Sequence, residues 1–305
     1  MIVVGSITFD VSTISARLPA AGETVLGSDA FTALGGKGAN QAVAAARSGA
    51  RVSMVGAVGD DMFGSFVLGQ LRQAEVDVDA ISTHPGATGL AHIRIDAAGQ
   101  NNIVMVPEAN SLLTQSDVET ALGRLAEQDA VLLTQFEIEP PVAIAAMIAA
   151  RRRGMSVILD PAPWVETPDD VWQLVDVVTP NETEASKYTG FEVVDHASAE
   201  VAGRWFCDRG VTTAIVTLGA NGAVVTTADG TAHHAAIEVS AVDSTAAGDT
   251  FTGFLGAALA AGEPVEAAVT RAMHAAAISV TRHGASSSIP TADDVSAFMQ
   301  SGLSS

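Results

Sequence analysis

Asp243-Ser-Thr-Ala-Ala-Gly-Asp-Thr-Phe-Thr-Gly253 runs directly into the apolar segment Phe254-Leu-Gly-Ala-Ala-Leu259. A turn of small residues that opens a helix leaves the N–H groups of Ala246, Ala247 and Gly248 free to point at an anion. The helix dipole adds partial positive charge at the same place. Asp249 stands at the mouth of this cradle, where a carboxylate can take a proton from a hydroxyl attacking phosphorus. The local chemistry is phosphoryl transfer to an alcohol. A plain helix entry is the competing reading, because Ser, Thr and Asp cap ordinary helices.

A second stretch, Leu34-Gly-Gly-Lys-Gly-Ala-Asn-Gln41, favours the chemical reading. It places three glycines and two amides just before the helical pattern Ala42-Val-Ala-Ala-Ala-Arg47, so backbone and polar side chains can approach a hydroxyl-rich ligand closely. One loop suits a sugar and the other its incoming phosphate.

Outward from these loops, the apolar β-branched runs Ile2–Val4, Val52–Val55, Val131–Leu133, Val157–Leu159, Val175–Val178, Ala214–Thr217 and Ala223–Val225 alternate with helical patterns. Such alternation predicts an α/β fold with a doubly wound, mostly parallel sheet flanked by helices, its ligands at the carboxyl ends of the strands. Two segments break the alternation. Residues 11–34 form one, and residues 88–106 form the other, which reads as an antiparallel hairpin turning over Asp96-Ala-Ala-Gly-Gln100. The expected division is therefore a core of residues 1–10, 35–87 and 107–305 with a small β lid of 11–34 and 88–106.

Composition narrows the function. The chain has 305 residues, is 48% hydrophobic and carries 35 acidic against 15 basic residues, a formal charge of −20. That length supports a substantial core. The charge disfavours nucleic acid and anionic membranes as partners. The start Met1-Ile-Val-Val-Gly5 has no basic leader, and no apolar run approaches the roughly 20 residues that span a bilayer, so the expected location is cytoplasmic. Cys207 is the single cysteine and fits a packed helix position. His233-His234 would point to alternate faces of a strand, which argues against a zinc centre. The Arg151-Arg-Arg153 cluster fits a helix C-terminus, where cations meet the negative dipole end.

The two loop motifs resemble signatures of the ribokinase-like, or PfkB, family of carbohydrate kinases. Further matches run in order along nearly the whole chain: Gly5-Ser-Ile-Thr-Phe-Asp10, Pro19-Ala-Ala-Gly-Glu-Thr24, Gly59-Asp-Asp-Met-Phe-Gly64, Asp160-Pro-Ala-Pro163, Thr179-Pro-Asn-Glu-Thr-Glu184, Thr217-Leu-Gly219 and Thr281-Arg-His-Gly-Ala285. The resemblance implies ATP-dependent phosphorylation of the terminal hydroxyl of a free pentose, D-ribose first, beneath a lid that excludes water. It implies Asp249 as catalytic base, with the N–H groups of Ala246, Ala247 and Gly248 as an anion hole. Thr8, Asp10, Gly36, Lys37, Gly38, Asn40 and Glu137 would hold the sugar. Lys37 as a solvated loop charge remains the alternative.

The same resemblance implies that Asn181, Thr217, Gly219, Gly222 and Gly248 line the nucleotide. Asn181 and Glu184 would organise Mg²⁺ and phosphate oxygens, through water in the case of Glu184. A capping box accounts for the Asn-x-x-Glu spacing equally well. His274 would lie beside adenine, or else simply pack in a close-packed helix. Asp243, Thr245, Ser279, Arg282, Gly284 and Ser288 match loops that hold K⁺ next to the anion hole.

The family pattern is broken at Thr8, where its members typically carry Asn two residues before the substrate aspartate. One hydroxyl cannot span the donor and acceptor that an amide offers, which opens 2-deoxy-D-ribose, another pentose, a ketose or a nucleoside as substrates. A phosphosugar would need more cations than the lid's Arg17 and Arg94. An inactive sugar-binding protein would need none of Asp249, Asn181, Glu184 and Asp243. An apolar lid surface of Ile93, Ile95, Ile103 and Met105 is expected to pair with a second copy as a homodimer.

Overall fold

The computed structural model describes residues 1–97, 100–125 and 130–302. Its elements are β1 (Ile2–Val4), β2 (Thr8–Ser15), β3 (Gly27–Gly35), α1 (Lys37–Arg47), β4 (Ser53–Gly59), α2 (Met62–Gln73), β5 (Asp77–His84), β6 (Gly89–Ile95) and β7 (Asn101–Val106). The chain continues through α3 (Gln115–Leu125), β8 (Val131–Thr134), α4 (Pro140–Arg152), β9 (Ser156–Leu159), β10 (Val177–Val178), α5 (Glu182–Thr189) and α6 (His196–Cys207). It closes with β11 (Thr213–Thr217), β12 (Ala223–Thr227), β13 (Gly230–His234), α7 (Ala247–Ala260), α8 (Val265–Ser279) and α9 (Ala292–Gly302).

Nine strands form the large sheet in the order β13-β12-β11-β10-β9-β8-β1-β4-β5. Every pair from β11 to β5 is parallel, and only β12, paired antiparallel with both β11 and β13, runs the other way. Side chains alternate across this sheet as period two requires. Val3 joins an apolar cluster with Val43, Phe254, Leu255 and Val269. Its neighbours Ile2 and Val4 join Val118, Met147, Trp172 and Phe206 on the opposite face. Two covered faces explain why the central strands read as unbroken apolar runs. β5 and β13 escape that signal because they are edge strands: β5 is polar at five of its eight positions, Asp77, Asp79, Ser82, Thr83 and His84.

A four-stranded sheet, β3-β2-β6-β7, stands apart, with β2 and β6 parallel and the outer pairs antiparallel. Its first two strands run from Thr8 to Gly35, so the expected cut at residues 10 and 11 falls inside β2. Ala98 and Gly99 of the expected hairpin turn lie outside the described residues. The base of the sheet is anchored by Phe9, which stacks on Phe63 of α2 at 4.3 Å and meets Phe66 edge-on at 5.2 Å. The Asn110 amide pins Ile7 through both its N–H and its carbonyl, at 2.9 and 2.8 Å, where β2 departs.

Packing of α7 on α1 fixes the relation between the two sequence loops. A Cβ at Gly253 would lie 2.5 Å from the Ala44 Cβ and 2.6 Å from the Gln41 carbonyl oxygen, so only glycine permits this approach. Asp249, one turn earlier on α7, is thereby brought against the first turn of α1.

Among the described residues no helix is long and apolar enough to cross a membrane. Ile93, expected on an exposed lid surface, is buried at 8% exposure on β6, where it pairs with Ser12 of β2 and Ile103 of β7. Ile103 and Met105 on the outer strand β7 are exposed, as are Val104 and Val106. His233 and His234 lie on β13, and Arg151 closes α4 against Asp176 at 2.8 Å.

Candidate active site

The loop before α7 is tied at its acid. Asp243 Oδ1 accepts from the Thr245 N–H at 2.9 Å and its hydroxyl at 2.6 Å, while Oδ2 accepts from the Gly284 N–H at 2.9 Å. Burial works against charge on Asp243, but these donors overcome it and hold its pKa below the usual value. Ala246 then takes a left-handed conformation, φ 59°, and α7 starts without a side-chain cap. Non-glycine residues pay roughly 1 kcal/mol or more for that conformation, which here turns the N–H groups outward.

The cradle differs from expectation in one donor. The Ala247 N–H is spent on the Ser244 carbonyl at 3.2 Å, closing the turn. The N–H groups of Ala246, Gly248 and Asp249 have no protein acceptor among the described residues.

Asp249 is 5% exposed, yet donors reach both of its oxygens. The Asn40 amide donates to its Oδ2 at 3.0 Å, the Gln41 amide donates to Oδ1 at 3.0 Å, and the Lys37 ammonium stands 3.7 Å from Oδ1. Lys37 also pairs with Asp160 at 3.2 Å. Burial alone would discharge Lys37, but Asp160, Asp249, Glu137 and Glu184 hold it protonated, with its pKa well above the usual lysine value. It is not a solvated loop charge. Asp160 is pushed up to about 7, chiefly by burial, with Glu184 and Asp249 adding to burial and Lys37 opposing it.

On the sugar side, Glu137 accepts from the Ser6 hydroxyl at 2.6 Å and from the Lys37 N–H at 2.8 Å, which clamps the start of α1. Gly36 makes the turn there with φ 88°, and a Cβ on Gly38 would sit 2.6 Å from the Gly5 carbonyl carbon. Thr8 donates its hydroxyl to Asp10 Oδ1 at 2.6 Å. Burial lifts Asp10 from 3.8 to about 6; the Thr8 bond opposes this, and the charges of Glu137 and Asp249 add to it. Asn40 must turn its amide nitrogen to the carboxylate of Asp249, and so its Oδ1 is buried with no partner. Such an atom is costly unless a ligand hydroxyl reaches it.

Asn181 and Glu184 form the capping box of α5, with reciprocal bonds of 2.9 Å. The capping reading is the one observed, and Glu184 also contributes charge to Lys37 and Asp160. The Thr217 N–H bonds the Pro180 carbonyl at 2.9 Å, and Gly219 and Gly222 make a turn closed from Leu218 at 2.8 Å. His274 spends Nδ1 on the Thr270 carbonyl at 2.8 Å and makes a T-shaped contact with Phe298 at 5.9 Å.

Among the proposed K⁺ ligands, Asp243, Thr245 and Gly284 are bonded together. Arg282 instead bonds Ser279 through its N–H and Asp294 through its guanidinium, and Ser288 bonds Ala285. No group of three or more His, Cys, Asp or Glu among the described residues is arranged to hold a metal.

Three residues that sequence reasoning passed over complete the cluster. Gln41 bridges Asp249 and Asp160, Gln135 donates to Gln41 at 2.5 Å, and Ser6 supports Glu137. Gln41 was visible beside Asn40 in the motif, but the side chain alone gives no hint of burial.

A buried carboxylate at a helix start, donors around it and a second carboxylate on a strand of the small sheet suit phosphoryl transfer to an alcohol. The profile described as pfkB family carbohydrate kinase matches residues 1–292. The chain belongs to the pfkB family of carbohydrate kinases. This carbohydrate kinase is 39% identical to a ribokinase of Haemophilus influenzae over 98% of its own length and 97% of that relative. It is 33% identical to a deoxyribokinase of Salmonella typhi, covering 97% of each. The structure of Arabidopsis thaliana ribokinase complexed with ribose and ATP is similar at a TM-score of 0.87, with 28% identity and 98% of each chain covered. The ribokinase-like α/β fold expected from the motifs is the fold observed.

Proposed function

We propose that this kinase transfers the γ-phosphoryl group of ATP to the terminal hydroxyl of a free pentose, D-ribose first. The observation that carries the proposal is Asp249, buried at the start of α7 with donors on both its oxygens and unpaired N–H groups beside it. The sugar oxygen forms the new bond to phosphorus as the bond to the ADP oxygen breaks, and Asp249 receives the hydroxyl proton. Asp10, Asn40 and Glu137, with the α1 turn at Gly36, Lys37 and Gly38, hold the sugar. Ala246 and Gly248 donate to the transferred phosphoryl oxygens.

Asn181, Thr217, Gly219, Gly222 and His274 are assigned to the nucleotide. Glu184 keeps Oε1 outside the capping box, which suits a magnesium ion reached through water; such an ion neutralises phosphate charge. The carboxylate and carbonyl oxygens around Asp243 and Gly284 suit K⁺ in the same way, as hard donors. A cytoplasmic homodimer, joined through Ile103, Met105 and their neighbours on β7, completes the proposal.

2-Deoxy-D-ribose is the second substrate reading, favoured by the Thr8 bond that occupies one oxygen of Asp10. A phosphosugar fits less well: Arg17 is paired with Glu23, and Arg94 is bonded to Asn102 at 2.8 Å. ADP release with Mg-ATP and K⁺ across free sugars tests the proposal. Turnover confined to nucleosides, or no turnover at all, refutes it.

A further inference from the structure

Gln41 and Gln135 are both 0% exposed, and neither is required by the transfer chemistry described above. Their orientation is dictated by their neighbours. Carboxylates only accept, so the Gln41 amide must present its nitrogen to Asp160 Oδ2 at 2.7 Å and Asp249 Oδ1 at 3.0 Å. Its oxygen is then left facing Gln135, whose own amide must present nitrogen, at 2.5 Å. The cost of this arrangement is visible: Gln135 Oε1 is buried without a partner. A buried polar chain that leaves an atom unsatisfied is expensive unless it serves something else.

We propose that Gln41 is a positioning residue for phosphoryl transfer, holding the Asp249 carboxylate in register with Asp160 and locked in its own orientation by Gln135. The role rests on Asp249 being the base. Lys37 reaches the same two carboxylate oxygens from a flexible stem, whereas the Gln41 amide reaches them from a short, fully enclosed one. The lysine therefore supplies charge, and the glutamine fixes where Oδ1 of Asp249 stands. A base displaced by a fraction of an ångström loses rate without losing substrate.

The test is steady-state kinetics of the full chain with Gln41→Met, a near-isosteric variant without polar atoms, together with Gln135→Met, which reaches the base only through Gln41. Gln41→Met is expected to lower kcat by about 30- to 100-fold, with KM for sugar and ATP within about threefold. Gln135→Met should lower kcat by about fivefold, and the double variant should be no slower than Gln41→Met alone. The proposal is overturned if kcat of Gln41→Met stays within twofold, if KM rises as much as kcat falls, or if the two losses multiply. Should Gln41→Met not fold, Gln135→Met decides by the same split: a kcat loss alone supports the role and an unchanged kcat removes it. Asp249→Asn separates the two layers. An inactive Asp249→Asn beside an unaffected Gln41→Met refutes the positioning role alone, and an active Asp249→Asn refutes the base assignment itself.

Discussion

The hydroxyl of Thr8 is bonded to Oδ1 of Asp10 at 2.6 Å, both residues being buried on the first strand of the small sheet. One oxygen of the carboxylate proposed to hold the sugar is thus satisfied from within the protein. Asp10 retains one oxygen for a hydroxyl, where a free carboxylate could grip a vicinal pair. Thr8→Asn is expected to raise the kcat/KM ratio of D-ribose over 2-deoxy-D-ribose by about three- to tenfold. Thr8→Val should raise KM for every accepted sugar. Competition assays with both sugars give the ratio directly.

Asp10 carries an electrostatic cost in the free protein. Its pKa is raised, so the folded chain binds a proton more tightly than the unfolded one between pH 3.8 and about 6. In that window stability from this group rises as pH falls, and above pH 6 the full penalty remains. Asp10→Asn keeps an acceptor for Thr8 and removes the penalty. It should stabilise the sugar-free protein by roughly 1–3 kcal/mol at pH 7.5 and by much less near pH 4. Denaturant melts at the two pH values measure the difference, and sugar phosphorylation should be largely lost.

Asp249→Asn should lower kcat by at least about 100-fold while ATP binding stays within about threefold. Titration calorimetry with a non-hydrolysable ATP analogue, beside an ADP-release assay, separates the two effects.

K⁺ should raise the rate over Na⁺ at equal ionic strength. The Asp243 carboxylate ties Thr245 to Gly284, and Asp243→Ala should slow the enzyme and abolish the preference for K⁺. Equal rates in the two salts for the unaltered enzyme would refute a K⁺ site there.

Gly253→Ala should fold poorly or lose about 2 kcal/mol or more, because its methyl group meets backbone and Cβ atoms of α1 rather than a flexible chain end. Thermal melts compare it with Gly248→Ala, where a Cβ meets nothing within 4 Å.

Much of this architecture was legible in the sequence. Strands buried on both faces, such as Val157–Leu159, announce themselves by an unbroken apolar run. Edge strands such as β5 do not, since water on one side licenses Asp77 and Asp79. Asp249 was picked out by motif chemistry and Asp10, Lys37 and Asn40 by the family resemblance, and the structure places all four near one another. Gln41 was read only as one of two motif amides and Asp160 only as a motif residue after a strand, and neither was given a role, because an amide or an acid reveals its burial only through tertiary neighbours. The same limit applies to Ala247, whose N–H is claimed by a turn to Ser244 that no residue type announces. Ile93 had the alternation of a surface strand, and only the pairing of β6 with β2 and β7 decided which side was covered.

The contact of Gly253 with α1 has a consequence for how such an enzyme can diversify. Asp249 and the α1 amides share one close-packed joint, while Thr8 and Asp10 belong to a separate sheet anchored at Phe9. With the roles proposed above, acceptor choice could drift at Thr8 and Asp10 while the transfer step keeps its timing, like a tool with an exchangeable jaw and a fixed anvil.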